Sequence, residues 1–340
     1  MSAPTTSLCA DRLGPWLAAR VPDLRLPVTS ALINGGRSNL TYRVRDAAGR
    51  CFALRRPPAR IDVKGAHDVA REFRIQLALS GRSRVRVAGP VAFCEDHAVI
   101  GAPFSVTEFV DGIVVRDVES GSALSETARR RAGFALVDEL VEVHRASPAV
   151  LGLSDLGRPE DYLRRQLRRW SAQIQGEPAT AALLAEGHER LLHRMPRQQR
   201  TALLHGDFRL DNVILSENGE VRAVLDWELS TQGDPLADLG WLLLYWQPPD
   251  PLTGALPRGS ELPGFPAAAE LAAHYGAGSG LDLAELPYYL AFAAWRLAVI
   301  TLGVAARYRG GGRAGSDLAV DELTTDAGSL AEFALTRLDS

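Results

Sequence analysis

"LLHGDFRLDNVILSENGEVRAVLDWE", residues 203–228, holds two apolar runs of strand length, each with a carboxylate near one end. Asn218-Gly219 separates them, a strong hairpin signal, because a two-residue type I′ turn needs positive φ at both central positions. A loop of those two residues pairs Glu217 with Glu220, Leu215 with Arg222 and Val213 with Val224, and sets Asn212 opposite Leu225. Asp226 then falls beside Asn212, while Asp207 lies on the loop entering the first strand. A one-residue slip would shift every pair. Three oxygen-bearing side chains at one hairpin end suit Mg²⁺, which takes hard oxygen ligands and keeps water or phosphate as the rest. Phosphoryl transfer needs a metal on the phosphates and a carboxylate to orient the attacking hydroxyl and accept its proton. Asp207 is the expected catalytic carboxylate, and Asn212 and Asp226 the expected metal ligands. The competing reading is an ordinary hairpin with polar ends. His-x-Asp alone is weak, but His-x-Asp-x-x-x-x-Asn followed by an apolar hairpin ending in Asp is specific.

The chain has 340 residues, enough for one large domain or two lobes with a core. With a net charge of -3 it has no general attraction for nucleic acid or anionic membranes, and neither is expected as a partner. The charge is uneven: residues 201–340 carry a balance of -11 and residues 1–200 one of +8. That split suits a phosphate donor in front and a cationic acceptor behind, or else scattered surface charge. Cys9, Cys51 and Cys94 show no metal-ligand or disulfide spacing, which fits a reducing cytoplasm. The first residues lack the basic-then-apolar pattern of a signal peptide. The stretch 286–308 is long enough to cross a bilayer, but Arg296 near its middle argues for a buried core helix.

Residues 1–110 read as about five strands with one helix, "HDVAREFRIQLAL", after the third. From about residue 123 the pattern turns helical, with Ser125 as an N-cap, and only 203–226 interrupts it. Two domains follow, 1–110 and 111–340, in an α+β class.

"HGDFRLDN", "VLDWE" and "GDPLADL" together resemble the aminoglycoside phosphotransferase family. "ALINGGRSNLTYRV", "LRRPP" and "GLSDLGRPEDYLRRQLRRW" are similar to the subgroup of phosphotransferase-like kinases that also occur fused to acyl-CoA dehydrogenases. The likeness runs over roughly residues 25 to 310. It implies a protein-kinase-like two-lobed fold, a β-rich N-lobe and a helical C-lobe, with the nucleotide between them. It matches Asp207 to the catalytic Asp, and Asn212 and Asp226 to the metal-binding pair.

On the nucleotide side, Gly35, Gly36, Ser38 and Asn39 of "NGGRSN" can bring backbone and side-chain donors to phosphates. Kinases carry a Lys on the third strand; here Arg55 fills that frame, Glu72 is its natural partner, and the one lysine, Lys64, falls in a later loop. Strand alternation aims the rival Arg56 at the opposite face. "VTEFVDG" resembles the inter-lobe hinge, with the backbone of Glu108 to Val110 on the base. ATP is the expected donor and GTP is possible, with Mg²⁺.

Few residues separate Asp226 from Asp234, and no Ala-Pro-Glu landmark follows, so a small hydroxyl acceptor is favoured over a protein. Asp238 is expected to brace the catalytic loop, His205 to scaffold it, and His144 to pack or cap. Glu228 and Asp234 are candidates for the acceptor side or for capping. The aromatic residues Trp241, Tyr245, Trp246, Tyr288, Tyr289 and Trp295, with Arg296, read mostly as core. Arg164, Arg165, Arg168 and Arg169 read as a solvated face or an anion site. The acceptor is an antibiotic or amino sugar, or alternatively a hydroxyacyl-CoA-type metabolite. A nucleotide-binding pseudokinase is the third reading. Monomer and homodimer are both open.

Overall fold

The computed structural model describes residue 8 and residues 10–34, 39–58, 68–250, 252, 256, 258–309 and 317–339. Gly35, Gly36, Ser38 and Lys64, and most of the glycine-rich loop after Arg309, lie outside the described residues. The chain divides into two compact units, residues 1–111 with 223–228, and residues 112–222 with 229–340.

In the first unit, α1 (Ala10–Ala18) precedes the strands β1 (Thr29–Asn34), β2 (Leu40–Arg45) and β3 (Cys51–Arg56). Helix α2 (Val69–Leu79) follows, then β4 (Pro90–Cys94), the single turn α3 (His97–Ile100) and β5 (Phe104–Glu108). The strands form one antiparallel sheet in the order β1-β2-β3-β5-β4. Five strands with a helix after the third is the expected pattern. The apolar run 91–101 is not one strand, however. Asp96 interrupts it, and its Oδ1 accepts the Ala98 N–H at 2.8 Å to cap α3.

Alternation along β3 decides which arginine meets which face. Phe52 and Leu54 point into a core with Leu13 and Leu17 of α1 and Val99 and Ile100 of α3. Arg56 shares that face and donates from Nη1 to the Ile100 carbonyl at 2.9 Å. Arg55 therefore faces the other way, toward Glu72 of α2. Residues 223–228 complete this unit: the Val224 N–H donates to Arg86 O at 2.8 Å and Val224 bridges Val87 in parallel. Trp227 is fully buried there, and its indole N–H donates to Val224 O at 3.1 Å.

The second unit opens with five helices: α4 (Val118–Ser122), α5 (Glu126–Arg145), α6 (Pro148–Leu151), α7 (Tyr162–Ser171) and α8 (Pro178–His193). Ser125 caps α5 as expected, its Oγ accepting the Ala128 N–H at 3.2 Å. Short strands β6 (Ala202–Leu204), β7 (Val213–Leu215), β8 (Val221–Val224) and β9 (Thr231–Gly233) come next, β6 pairing with β9 and β7 with β8. Four helices close the chain: α9 (Leu236–Trp246), α10 (Ala268–Ser279), α11 (Leu286–Arg309) and α12 (Asp317–Asp339). Helix α11 is long and apolar enough to cross a membrane, yet 78% of its most apolar window is buried within the protein. It packs as a core helix, so closely that a Cβ on Gly240 of α9 would lie 2.6 Å from the Tyr289 carbonyl.

The β7–β8 turn differs from the expected two-residue loop. Gly219 N–H donates to Ser216 O at 2.9 Å, and Ser216 N–H donates to Glu220 O at 2.8 Å. The loop thus holds Glu217, Asn218 and Gly219, and of these only Gly219 has a positive φ, +80°. This is a type I turn followed by a left-handed glycine. Glu220 closes on Ser216 rather than on Glu217, one residue from the expected pairing. Gly219 is seated against the backbone of Ala128 and Ala132 of α5, which leaves no room for a side chain.

Candidate active site

The first unit gathers its charges around Arg55. The guanidinium donates from Nη2 to Asp226 Oδ1 at 2.5 Å, lies 2.9 Å through Nε from Glu72 Oε2, and sits 3.8 Å through Nη2 from Glu228 Oε2. The Glu72 contact is an ion pair whose angle falls short of a hydrogen bond. Burial works against the arginine's charge, but the three carboxylates outweigh it and hold Arg55 protonated. Glu72 is pushed up to about 7, first by burial; Arg55 opposes the rise, while Asp226 and Glu228 add to it. Asp226 is held in left-handed backbone, φ +64°, a conformation that Asp tolerates better than most residues. Glu228, expected on the acceptor side or as a cap, stands instead beside Arg55 and accepts from Asn39 Nδ2 at 3.3 Å. Asn39 is buried, and its Oδ1 has no hydrogen-bond partner. At the expected hinge, the Glu108 N–H donates to Gly89 O at 2.7 Å and the Phe109 N–H to Cys51 O at 3.4 Å, two main-chain donors already in use just before Val110.

The second unit carries the loop of Asp207, the expected catalytic carboxylate, between β6 and β7. Its frame is Asp238 on α9, a buried carboxylate that accepts the His205 N–H at 2.7 Å and the Gly206 N–H at 3.0 Å. Burial opposes the charge of Asp238, but the hydrogen bond from His144 and the nearby His205 hold its carboxyl below the ordinary value. His144 in turn meets the Tyr275 hydroxyl at 2.7 Å, so a buried chain runs from α10 through α5 and α9 to the loop. His205 is fully buried, and its Nδ1 accepts the Asp207 N–H at 3.3 Å, the scaffold role expected of it. Asp234 accepts the Tyr289 hydroxyl at 2.7 Å, and burial raises its carboxyl.

Asp207 ends up gripped by three side chains. Trp241 Nε1 donates to its Oδ1 at 2.8 Å, and Arg209 Nε lies 3.1 Å from the same oxygen. Asn212 Nδ2 donates to Oδ2 at 3.0 Å and to the Asp207 main-chain carbonyl at 2.8 Å. A carboxylate oxygen has two lone-pair positions. Oδ1 accepts one hydrogen bond, from Trp241, with Arg209 beside it as an ion pair whose angle falls short of one; Oδ2 accepts from Asn212 and has a lone pair left to take a proton. Arg209 also reaches Asp211 Oδ2 through Nη1 at 3.1 Å and lies over the Tyr245 ring, its Cζ 4.8 Å from the centroid. Burial raises the Asp211 carboxyl, against the pull of Arg209. A small cavity of about 20 Å³ opens here, walled by Val115, Arg209, Asp211, Tyr245, Trp246 and Ser260. On α7, Arg164, Arg168 and Arg169 are exposed, and Arg165 donates to the Arg158 carbonyl.

Among the described residues, no group of three or more His, Cys, Asp or Glu could hold a metal ion. Mg²⁺ commonly takes one or two protein oxygens plus phosphates and water. Both bonds that Asn212 makes to Asp207 come from its NH₂ group, which leaves its Oδ1 as an acceptor. Asp226, the other expected ligand, engages Arg55 through Oδ1 in the first unit.

Sequence reasoning singled out Asp207, Asn212, Asp226, Arg55 and Glu72, and the structure brings Asn212 to Asp207 and both Glu72 and Asp226 to Arg55. It left Trp241 and Arg296 among the core residues and did not weigh Arg209 or Asp211. Arg209 carried a local signal, an arginine inside the His-x-Asp loop. Trp241 is 34 residues from the carboxylate it touches, and no local pattern marks it.

The profile of the phosphotransferase enzyme family matches residues 29–285. Acyl-CoA dehydrogenase family member 10 of Mus musculus is 35% identical over 83% of this chain, which spans only 27% of that longer protein. The crystal structure of a Ralstonia eutropha JMP134 protein, provisionally named an aminoglycoside phosphotransferase, is 28% identical and covers 98% of both chains at a TM-score of 0.82. The GDP and kanamycin complex of APH(2″)-IIIa, 16% identical, covers 94% of this chain and 97% of its own at a TM-score of 0.64, a likeness of fold. The protein belongs to the phosphotransferase enzyme family, in its aminoglycoside-phosphotransferase-like branch, and has the protein-kinase-like α+β fold of that group.

Proposed function

We propose that the protein is a magnesium-dependent small-molecule kinase that moves the γ-phosphoryl group of ATP, or of GTP, to an acceptor hydroxyl. The observation that carries this reading is the Asp207 carboxylate, fixed by Trp241, Arg209 and Asn212 with one lone pair of Oδ2 left over. Asp207 orients the hydroxyl and takes its proton on Oδ2 as the oxygen attacks phosphorus. Asn212 and Asp226 are the metal ligands, and bound Mg²⁺ would supply charge neutralisation on the phosphates. Arg55 holds phosphate oxygens with its planar fork, and Glu72 keeps that fork oriented. Gly35, Gly36, Ser38 and Asn39 serve the phosphates, and the chain from Glu108 to Val110 serves the base. The GDP and kanamycin complex of a fold relative supports a nucleotide donor and a hydroxyl-rich acceptor. The enzyme acts in the cytoplasm, where its three cysteines stay reduced.

A second acceptor reading, a hydroxyacyl-CoA-type compound, is favoured by the identity to an acyl-CoA dehydrogenase family member. The test is Mg²⁺-dependent consumption of ATP and GTP over a panel of amino sugars and hydroxyacyl thioesters. One class should stimulate turnover, and Asp207→Asn should lower it by roughly 10²- to 10⁴-fold while nucleotide still binds. A panel without stimulation, or an Asp207→Asn protein as fast as wild type, removes the kinase reading.

A further inference from the structure

Arg296 is a buried cation in the middle of an apolar helix, 8% exposed. Its Nη2 donates to the Gly206 carbonyl at 2.9 Å, one residue before Asp207, and its Nε is buried with no hydrogen-bond partner. Its Cζ lies over the Trp241 ring, 4.1 Å from the centroid. A guanidinium in such a place costs desolvation energy that one carbonyl does not offset.

The position of Trp241 gives the cation a use. The ring is 3% exposed, held between Arg296 and Tyr245, whose centroid is 5.0 Å away. Its single donor, the indole N–H, goes to Asp207 Oδ1 at 2.8 Å. A cation on an indole face draws electron density from the ring, and a low dielectric strengthens the effect on the N–H. The same guanidinium pins the carbonyl on one side of Asp207 and the ring that pins its carboxylate. Tyr245 is also the ring under Arg209, which contacts the same oxygen.

We propose that Trp241, braced by Arg296, is a positioning residue for phosphoryl transfer: its indole N–H occupies Asp207 Oδ1 and fixes the carboxylate rotation that presents Oδ2 to the acceptor hydroxyl. The proposal rests on Asp207 acting as the base. Arg296 does not touch the reacting atoms; it acts through the indole and the Gly206 carbonyl.

Two measurements test it. Trp241→Phe keeps an aromatic ring under Arg296 and removes only the N–H. In Mg-ATP turnover it should lower kcat roughly 10- to 100-fold, the scale of a misplaced catalytic group. KM for Mg-ATP should change less than about twofold, since binding energy common to ground and transition states is untouched. The second measurement needs no core substitution. The Trp241 indole peak is assigned in the ¹H–¹⁵N spectrum by its loss in Trp241→Phe. It should move upfield in Asp207→Asn, where a neutral amide replaces the charged acceptor. A dead Asp207→Asn beside a Trp241→Phe of unchanged kcat overturns the relay alone, as does an indole peak indifferent to Asp207→Asn. An Asp207→Asn protein that turns nucleotide over at the wild-type rate overturns the base assignment, and the catalytic role of Trp241 with it.

Discussion

Arg55 lies on the third strand, the element on which kinases carry a lysine, and its three carboxylate neighbours give an arginine there a physical reason. An ammonium is a point charge, whereas a guanidinium offers separate N–H groups to Glu72 and Asp226 at once. The Glu72 carboxyl, raised to about 7 from an ordinary 4.5, ties this cluster to pH. A carboxyl raised in the folded state binds protons that the unfolded chain has lost, so its contribution to stability falls as pH rises from about 4.5 to about 7. The thermal midpoint of wild type relative to Glu72→Gln should therefore decline across that window, by the equivalent of roughly 3 kcal/mol at most. Arg55→Met strands Glu72 without its cation. It should cost about 3–5 kcal/mol at pH 8, and less at pH 5, where Glu72 takes up a proton. Equal losses at the two pH values in denaturant titrations would contradict the assignment. At this scale the sequence was legible where chemistry is local: His205 to Asn212 is one loop, and Arg55 and Glu72 sit on adjacent elements. Arg296 read only as a core residue, because its partners Gly206 and Trp241 lie 90 and 55 residues away along the chain.

Secondary structure was legible wherever a period and a cap agreed. Ser125 capped α5, and the pattern from 68 onward gave α2, started by Asp68 accepting the Arg71 N–H at 2.9 Å. Helix α8 gave no such signal. Its cap is Glu177, outside the usual capping set, and its buried face rests on Leu184, Gly187 and Leu191, one of them without a side chain. The β7–β8 turn misled for a different reason. Asn-Gly fits two turn geometries, and the local sequence does not choose between them. Gly219→Ala meets both a positive φ and the Ala128 carbonyl, so it should destabilise the protein by more than the ~1 kcal/mol of the backbone term alone. Asn218→Ala, at an exposed residue with ordinary φ, should stay within about 0.5 kcal/mol. A type I′ turn would instead make both substitutions costly, and urea midpoints of the two variants separate the cases.

For the molecule as a whole, composition placed it among ordinary globular proteins, and the motif around Asp207 placed it in its family. Composition could not tell how charge is deployed: the back half is acidic overall, yet Arg209 meets the Asp207 carboxylate and Arg296 the carbonyl just before it. A ligand that binds only the folded protein raises its stability with concentration, by about 2.7 kcal/mol at a hundredfold excess over Kd. Mg-ATP or Mg-GTP should raise the melting temperature accordingly, EDTA should cancel most of the rise, and Asp226→Ala should shift the response to higher nucleotide concentration. A melting curve indifferent to nucleotide in all these conditions would remove the donor side of the proposal.

Residues 223–228 fold with the first unit although they are encoded more than a hundred residues after its other part ends. No single cut in the gene releases that unit intact. A fragment stopping at residue 111 would lack the buried Trp227 and the Asp226 carboxylate that holds Arg55. Expressed alone it should be poorly folded, and a split-protein design would have to graft the six-residue stretch back onto it through a new linker.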